Sequence, residues 1–321
     1  LIGPVVGQAA PKVYFVGGSS FGPNAGRASI LTSADDGQTW ALVHVAGVTG
    51  SGLPATSEIV SGSIAPDNAN EILVAVHATA GANSGIYRST DGGVAFTKST
   101  GVPAGGDWGS QFSRFVFLES DPAVPTRRFG WVNGVGFLIS SNRGATWAAA
   151  GHSTSGPGAG QLYNWNTWGY FARDDATGRL WFGGIKDHLG LACSTNNGTH
   201  WTYLDTPFSN TGFSEVRAID AHDGQVLVCA KRFGDTYFKI YYSDDNGAVW
   251  HECTKTGFRY PNTTYVALNP HQRGHFWVAT NGRSYARFTP GAMAQRQQQF
   301  FDALSLNVPA CLLYTSDAAD E

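Results

Sequence analysis

Acidic and amide side chains recur in this chain in one fixed order with serine, glycine and tryptophan. The octet reads Ser33-Ala-Asp-Asp-Gly-Gln-Thr-Trp40 and then Ser89-Thr-Asp-Gly-Gly-Val-Ala-Phe96. It returns as Ser140-Ser-Asn-Arg-Gly-Ala-Thr-Trp147, Ser194-Thr-Asn-Asn-Gly-Thr-His-Trp201 and Ser243-Asp-Asp-Asn-Gly-Ala-Val-Trp250. Two carboxylates placed close together would suggest acid–base chemistry. Here the setting predicts a turn instead. The glycine at position five can take a positive φ. Ser and Asp/Asn side chains accept backbone N–H groups of the same turn, and the closing Trp or Phe buries a ring beneath it. The octet acids are therefore expected near the surface, and Trp40, Trp147, Trp201 and Trp250 in the interior.

Other candidates lie in polar loops. Trp108, Tyr163, Trp165, Trp168 and Tyr260 carry rings suited to stacking on a sugar face, with Asn164, Asn166 and Asp107 beside them as hydrogen-bonding groups. Equally, each ring could pack between neighbouring sheets. Asp107, Asp187, Asp235 and His188 fall in similar loops, where solvation is the simpler reading. The four cysteines, Cys193, Cys229, Cys253 and Cys311, show no Cys-x-x-Cys or Cys/His spacing, so no structural metal is expected. Cys229 sits in an apolar run and reads as core. One disulfide is possible and its pairing is open.

The elements that must position these groups are strands. Each octet lies between two β-type runs, such as Lys239-Ile-Tyr-Tyr242 before the fifth. Two further runs precede each pair, as in Glu58-Ile-Val-Ser-Gly-Ser-Ile64 followed by Glu71-Ile-Leu-Val-Ala-Val76. The unit is a four-stranded meander repeating about every 50 residues, which predicts an all-β chain of β-propeller blades. About six are present, the sixth around Thr264-Tyr-Val-Ala-Leu268 and His275-Phe-Trp-Val-Ala279 without an octet. The first lacks a convincing inner strand, and the whole reads as a seven-bladed ring truncated at the N-terminus. With strands A to D counted from the inside, A–B and C–D turns share one face. B–C loops and D–A links share the other. The octets mark the first face and the loop aromatics the second.

Composition agrees. Charged residues make up 14% of 321 residues, while 41 glycines, 10 tryptophans and 19 phenylalanines suit a tight-turned, apolar core. That excludes disorder. The net charge of −3 with no basic run argues against a nucleic-acid partner, and no apolar run is long enough to span a membrane. No signal peptide is visible. The chain starts at Leu1 and holds one methionine, Met293, which reads as a fragment. Domain organisation is expected as a propeller over 1–290 and a non-propeller tail over 291–321. Within that tail, 311–321 resembles a translated sequencing-adapter read-through.

The octet resembles the Asp-box (BNR repeat) of sialidases, sortilin-type receptors and family 74 glycoside hydrolases. The last group, the xyloglucanases, fits best. Lys12-Val-Tyr-Phe-Val-Gly-Gly18 through the first octet is similar to an early blade of their C-terminal propeller, Ser99-Thr-Gly-Val-Pro-Ala104 to one of its linkers, and Phe276-Trp-Val-Ala-Thr-Asn-Gly-Arg283 to a run near its end. The resemblance implies a secreted, extracellular parent with two seven-bladed propellers and a glucan cleft between them, each propeller giving one catalytic aspartate. The C-terminal aspartate belongs to a Gly-Asp-x-Gly-Gly-Phe run, which is absent here, so both catalytic acids would lie elsewhere and the fragment would be inactive alone. The partners implied are a polysaccharide or oligosaccharide and the missing propeller of the same parent. No cofactor is implied. A sialidase-like alternative would use Glu215 to polarise a tyrosine nucleophile and Arg232 to hold a carboxylate, although Arg217 could simply pair with Glu215. A non-catalytic sortilin-type or assembly-factor propeller is the third reading.

Overall fold

The computed structural model describes residues 2–3, 12–18, 28–35, 37–47, 50–78, 80–108, 116–153, 160–163, 169–184, 190–204, 215–231, 235–253, 263–280, 285–289 and 300–302. Among the described residues the strands form six four-stranded antiparallel sheets, each in simple sequence order. The first sheet holds β1 (Ile2–Gly3), β2 (Lys12–Gly18), β3 (Ala28–Ser33) and β4 (Ala41–Val45). The second holds β5 (Ser57–Ala65), β6 (Asn68–Ala78), β7 (Gly85–Ser89) and β8 (Thr97–Lys98). The third holds β9 (Val116–Ser120), β10 (Arg128–Val132), β11 (Gly136–Ser140) and β12 (Ala148–Ala149). A short parallel pair follows, β13 (His152–Ser153) with β14 (Leu162–Tyr163). The fourth sheet is β15 (Gly169–Arg173), β16 (Leu180–Gly184), β17 (Leu191–Ser194) and β18 (Thr202–Tyr203). The fifth is β19 (Glu215–His222), β20 (Gln225–Lys231), β21 (Lys239–Ser243) and β22 (His251–Glu252). The sixth is β23 (Thr263–Leu268), β24 (Phe276–Thr280), β25 (Tyr285–Thr289) and β26 (Phe300–Asp302).

Two expectations are corrected here. The first sheet has an inner strand after all, β1, paired through Ile2 and Val13. The boundary at residue 290 also fails, because Phe300–Asp302 lies in register against β25 and closes the sixth sheet. An outer strand of two or three residues carries too little alternation to be seen in sequence. Residues 303–321 lie outside the described residues.

The chain divides into two compact units. One is Leu1–Gly169 with Ser194–Thr202, the other Tyr170–Cys193 with Tyr203–Glu321. Both build their cores the same way. Successive side chains of a strand point to opposite faces of its sheet, and the second strands β6, β10, β16 and β20 are buried on both over most of their length. In the first unit β6 sends Ile72, Val74 and Val76 into one cluster with Ile30, Tyr87 and Phe96. Its alternate residues Leu73 and Ala75 enter another with Leu118, Val132, Leu138 and Trp147. In the second unit β20 divides likewise. Leu227 and Cys229 pack with Ile240, Phe276 and Phe288, and Val226, Val228 and Ala230 pack with Trp181, Val216 and Tyr241. A strand covered on both faces must be apolar throughout, which explains the unbroken run of residues 226–230. Each fully buried valine, leucine, isoleucine or phenylalanine among them contributes roughly 1.5–3 kcal/mol of burial.

The five octets share one hydrogen-bond pattern. The serine hydroxyl donates to the side chain at position three over 2.7–3.0 Å and accepts the glycine N–H over 2.8–2.9 Å. The position-three oxygen accepts the N–H of position seven over 2.8–3.1 Å. In the four tryptophan octets the indole N–H donates back to the glycine carbonyl over 2.9–3.1 Å. All five glycines have φ between +81° and +92°, as the turn demands. Arg143, Asn197 and Asn246, at position four, join them at φ near +60°.

Burial of the aromatic residue varies more than expected. Phe96, Trp147 and Trp201 are buried, and Trp250 is half-buried. Trp40 is 44% exposed, which corrects the expectation of burial there. The hydrogen bonds explain the difference. The N–H of Phe96 donates to Ser51 O, that of Trp147 to Thr100 O and that of Trp201 to Gly160 O. Each acceptor belongs to the link entering that octet's own sheet, and among the described residues none reaches Trp40.

Candidate functional site

Two faces follow from the meander, and the hydrogen bonds assign them. On the octet face the A–B turns meet the octets. Arg143 N–H donates to Thr126 O in the first unit, and Asn246 N–H to Gly224 O in the second. On the opposite face a D–A link meets a B–C loop, because Asp107 N–H donates to Asn133 O over 2.8 Å.

The octet carboxylates are structural acceptors. Asp35 is held down at about 2, chiefly by the Thr39 hydroxyl and then the Thr39 N–H. Burial pushes Asp91 up, but the N–H groups of Ala95 and Val94 and the Ser89 hydroxyl together hold it below the usual range. Asp245 follows the same balance through Val249, Ser243 and Ala248. Carboxylates held ionised in this way cannot act as general acids at neutral pH.

On the link face the candidates separate. Trp108 is only 8% exposed and packs in the core with Val132, Val135 and Leu118. Gly106 lies so close that a Cβ there would meet the Trp108 indole nitrogen at 2.9 Å. This corrects Trp108 as an open stacking ring: loop position leaves burial undecided, and here neighbouring aliphatic groups cover the indole. Tyr163 ends β14, opposite Ser153, while its side chain lies outside the described residues. Trp165, Trp168, Tyr260, Asn164, Asn166, Asp187 and His188 also lie outside them. Asp235 is described, 3.7 Å from Lys239, which also reaches Glu252 at 3.2 Å. That fits a solvated ion-pair group.

For the sialidase-like alternative, Glu215 opens β19 opposite Lys231 and pairs with Arg217 at 3.5 Å. Arg217 also lies over the Phe238 ring, 5.2 Å from its centroid. Arg232 is outside the described residues.

Two acids were missed by the sequence reading. Asp174 is fully buried and accepts the N–H groups of Asp223 and Gly224 at 2.9 and 2.7 Å, so it ties the fourth sheet to the fifth. Asp220 accepts Leu268 N–H at 2.7 Å and ties the fifth to the sixth. Burial raises the Asp220 carboxyl despite that bond. A short-turn signal, Asp174 four residues before Gly178, could have flagged the first. Nothing local marks the second.

Meanders of this order with inter-sheet cores define the chain as a β-propeller-type all-β protein. Over 94% of its length it superposes on the GH74 xyloglucanase from Xanthomonas campestris with a TM-score of 0.63, at 16% identity and over 46% of that chain. In sequence it is 25% identical over 276 residues to a xyloglucanase from Paenibacillus sp. It is 24% identical over 273 residues to one from Hypocrea jecorina (strain QM6a). Each match takes in 84% of this chain, which spans only about a quarter of the relatives' length, 23% and 28%. No family model matches. The chain thus resembles the GH74 propeller in both sequence and fold.

Proposed function

We propose that this chain is part of a secreted glycoside hydrolase acting on xyloglucan or a related β-glucan, and that it supplies part of the substrate cleft rather than the catalytic acids. The observation that carries this reading is the likeness to xyloglucanases along 84% of the chain. The saturated, ionised octet carboxylates fit it, since inverting hydrolysis needs one carboxyl group that stays protonated. Under this reading the octets are Asp-boxes with a structural role. The glycan surface is the link face, with Tyr163, Trp165, Trp168 and Tyr260 as stacking rings. The second propeller and both catalytic acids belong to the longer parent.

The test is isothermal titration of the 321-residue chain with a xyloglucan oligosaccharide, beside a reducing-sugar assay. Binding without sugar release is expected, with Trp165→Ala several-fold weaker and its melt unchanged. Sugar release above the no-enzyme control would overturn the division of labour. Equal affinity in wild type and Trp165→Ala would remove the stacking role, and binding of sialosides alone would favour Glu215 and Arg232.

A further inference from the structure

Two neighbouring strands of the second unit, β19 and β23, are each interrupted at their first residues. In β19 the pairing with β20 skips Arg217, between Val216 and Ala218. In β23 the pairing with β24 skips Thr264, between Thr263 and Tyr265. The Asp220–Leu268 bond ties the two strands together at 2.7 Å. Three residues back from it along each strand, Arg217 and Tyr265 stand level with each other. A bulge bends its strand and re-aims a side chain, and bulges are over-represented beside active sites. Two of them at the same end of adjacent strands single out that end.

The side chains gathered there are not core side chains. Tyr265 is 65% exposed. Glu215 lies 3.5 Å from Arg217, and both side chains stay partly open to solvent, at 32% and 25%. Arg217 lies over the buried Phe238 ring, 5.2 Å from its centroid. The register brings that ring in: Val216 pairs with Ala230, and Ala230 with Lys239, the neighbour of Phe238. Tyr170, the second residue of β15, approaches from the fourth sheet. Burial raises its hydroxyl, and the Arg217 charge opposes that rise.

A guanidinium donor beside a carboxylate acceptor suits two neighbouring hydroxyl groups, since each hydroxyl both donates and accepts. An exposed phenol ring next to them adds an apolar face with a polar tip. An anionic ligand is a poorer fit, because Glu215 already balances Arg217 and would repel it. We propose that the bulged ends of β19 and β23 form a binding site for one neutral sugar unit. Tyr265 stacks on its apolar face, Arg217 donates to one hydroxyl and Glu215 accepts from the next. Phe238 and Tyr170 are positioning residues that hold the guanidinium. This site rests on the glycan reading above, and it carries part of that surface on strands instead of loops.

The probe is a xyloglucan oligosaccharide, titrated calorimetrically into the 321-residue chain. Tyr265→Ala should bind it several-fold more weakly with an unchanged melt, because the ring is exposed. Tyr265→Phe keeps the ring and should bind as the wild type does. Arg217→Gln should bind about tenfold more weakly, the loss expected for a hydrogen bond from a charged group. Should Arg217→Gln fail to fold, Tyr265→Ala decides alone. Wild-type affinity in Tyr265→Ala overturns the site and leaves the glycan reading standing. No binding by the wild type removes that reading and the site with it. Sialyllactose bound by the wild type and lost in Arg217→Gln overturns the neutral ligand class.

Discussion

The Trp201 indole meets the Phe137 ring edge-on, with centroids 5.2 Å apart and planes at 77°. Phe137 stands on β11 in the third sheet, while Trp201 closes the octet of the fourth. Gly198 of that octet lies so near Phe137 that a Cβ would overlap the ring. The contact joins turn chemistry to inter-sheet packing. Trp201→Ala should accordingly cost about 3–5 kcal/mol of stability. Trp40→Ala, at the exposed counterpart, should stay within about 0.5 kcal/mol. Urea denaturation of the two variants decides it; equal losses would mean that exposure does not separate the two positions.

The octet serine should matter more than its small size suggests. Ser194 Oγ is the acceptor for the buried Gly198 N–H at 2.9 Å and donates to Asn196 at 3.0 Å. Ser194→Ala leaves that N–H without its partner, at a cost of about 1–3 kcal/mol. Thr199→Ala, on the exposed side of the same turn, serves as the control. A shift in denaturation midpoint for the serine variant alone is expected.

Acid should loosen the second unit through Asp174. Burial pushes this carboxyl up, but the Gly224 N–H, the Thr177 hydroxyl and the Ala176 and Thr177 N–H groups outweigh it and hold the folded value below the ordinary one. The unfolded chain then binds the proton more readily, so stability rises with pH across this window. The contribution is fully present above the unfolded value near pH 4 and is lost as pH falls through the folded value. Asp174→Asn should be less stable at pH 7 and should show a shallower slope below about pH 4. Melts across pH 2.5–7 measure both, and an unchanged slope would count against the latch.

A different window belongs to His44 in the first unit. Its Nδ1 lies 3.2 Å from Val94 O, its ring sits edge-on to Phe96 at 5.1 Å, and Nε2 is buried with no acceptor. Burial is the main cause that lowers its value, partly offset by the carbonyls of Val94 and Gly93. The folded state thus prefers neutral histidine. Stability is complete above the unfolded value near pH 6.5 and is lost as pH falls from there through the folded value. His44→Gln should remove a mild destabilisation that sets in as pH falls below about 6.5, without touching the Asp174 window. Thermal melts at closely spaced pH values separate the two.

Much of this fold is legible in the sequence because its defining interactions are short. The octet fixes a turn through partners at most four residues apart, and β6 and β20 announce two-sided burial by unbroken apolar runs. What escapes sequence reading depends on distant partners. Asp174 and Asp220 find their acceptor roles 50 and 48 residues away. Trp108 and Trp40 show the same limit from opposite sides: one loop ring is buried among Val132, Val135 and Leu118, and one turn ring is 44% exposed although its octet makes the same local bonds as the others. For the site, the Asp107–Asn133 bond sets one link against a B–C loop, while Ser51, Thr100 and Gly160 set link residues against octets, a contact that the strand order alone does not foretell. The sequence cannot say which loop aromatics are open, since that depends on what packs over them.

The self-contained octet also bears on how the chain reaches its fold. Every side-chain bond of the turn closes within four residues, a loop of negligible entropic cost beside the roughly fifty-residue closures made by Asp174 and Asp220. Hairpins of this kind form in about 1–10 μs. The octets are thus five independent seeds, each ready before the sheets find one another. In pulse-labelled hydrogen exchange during refolding, the amides of Gly93, Gly144, Gly198 and Gly247 should gain protection ahead of those of Gly224 and Leu268. Assembly then becomes the joining of preformed hairpins, and the slow step falls to the latches between sheets.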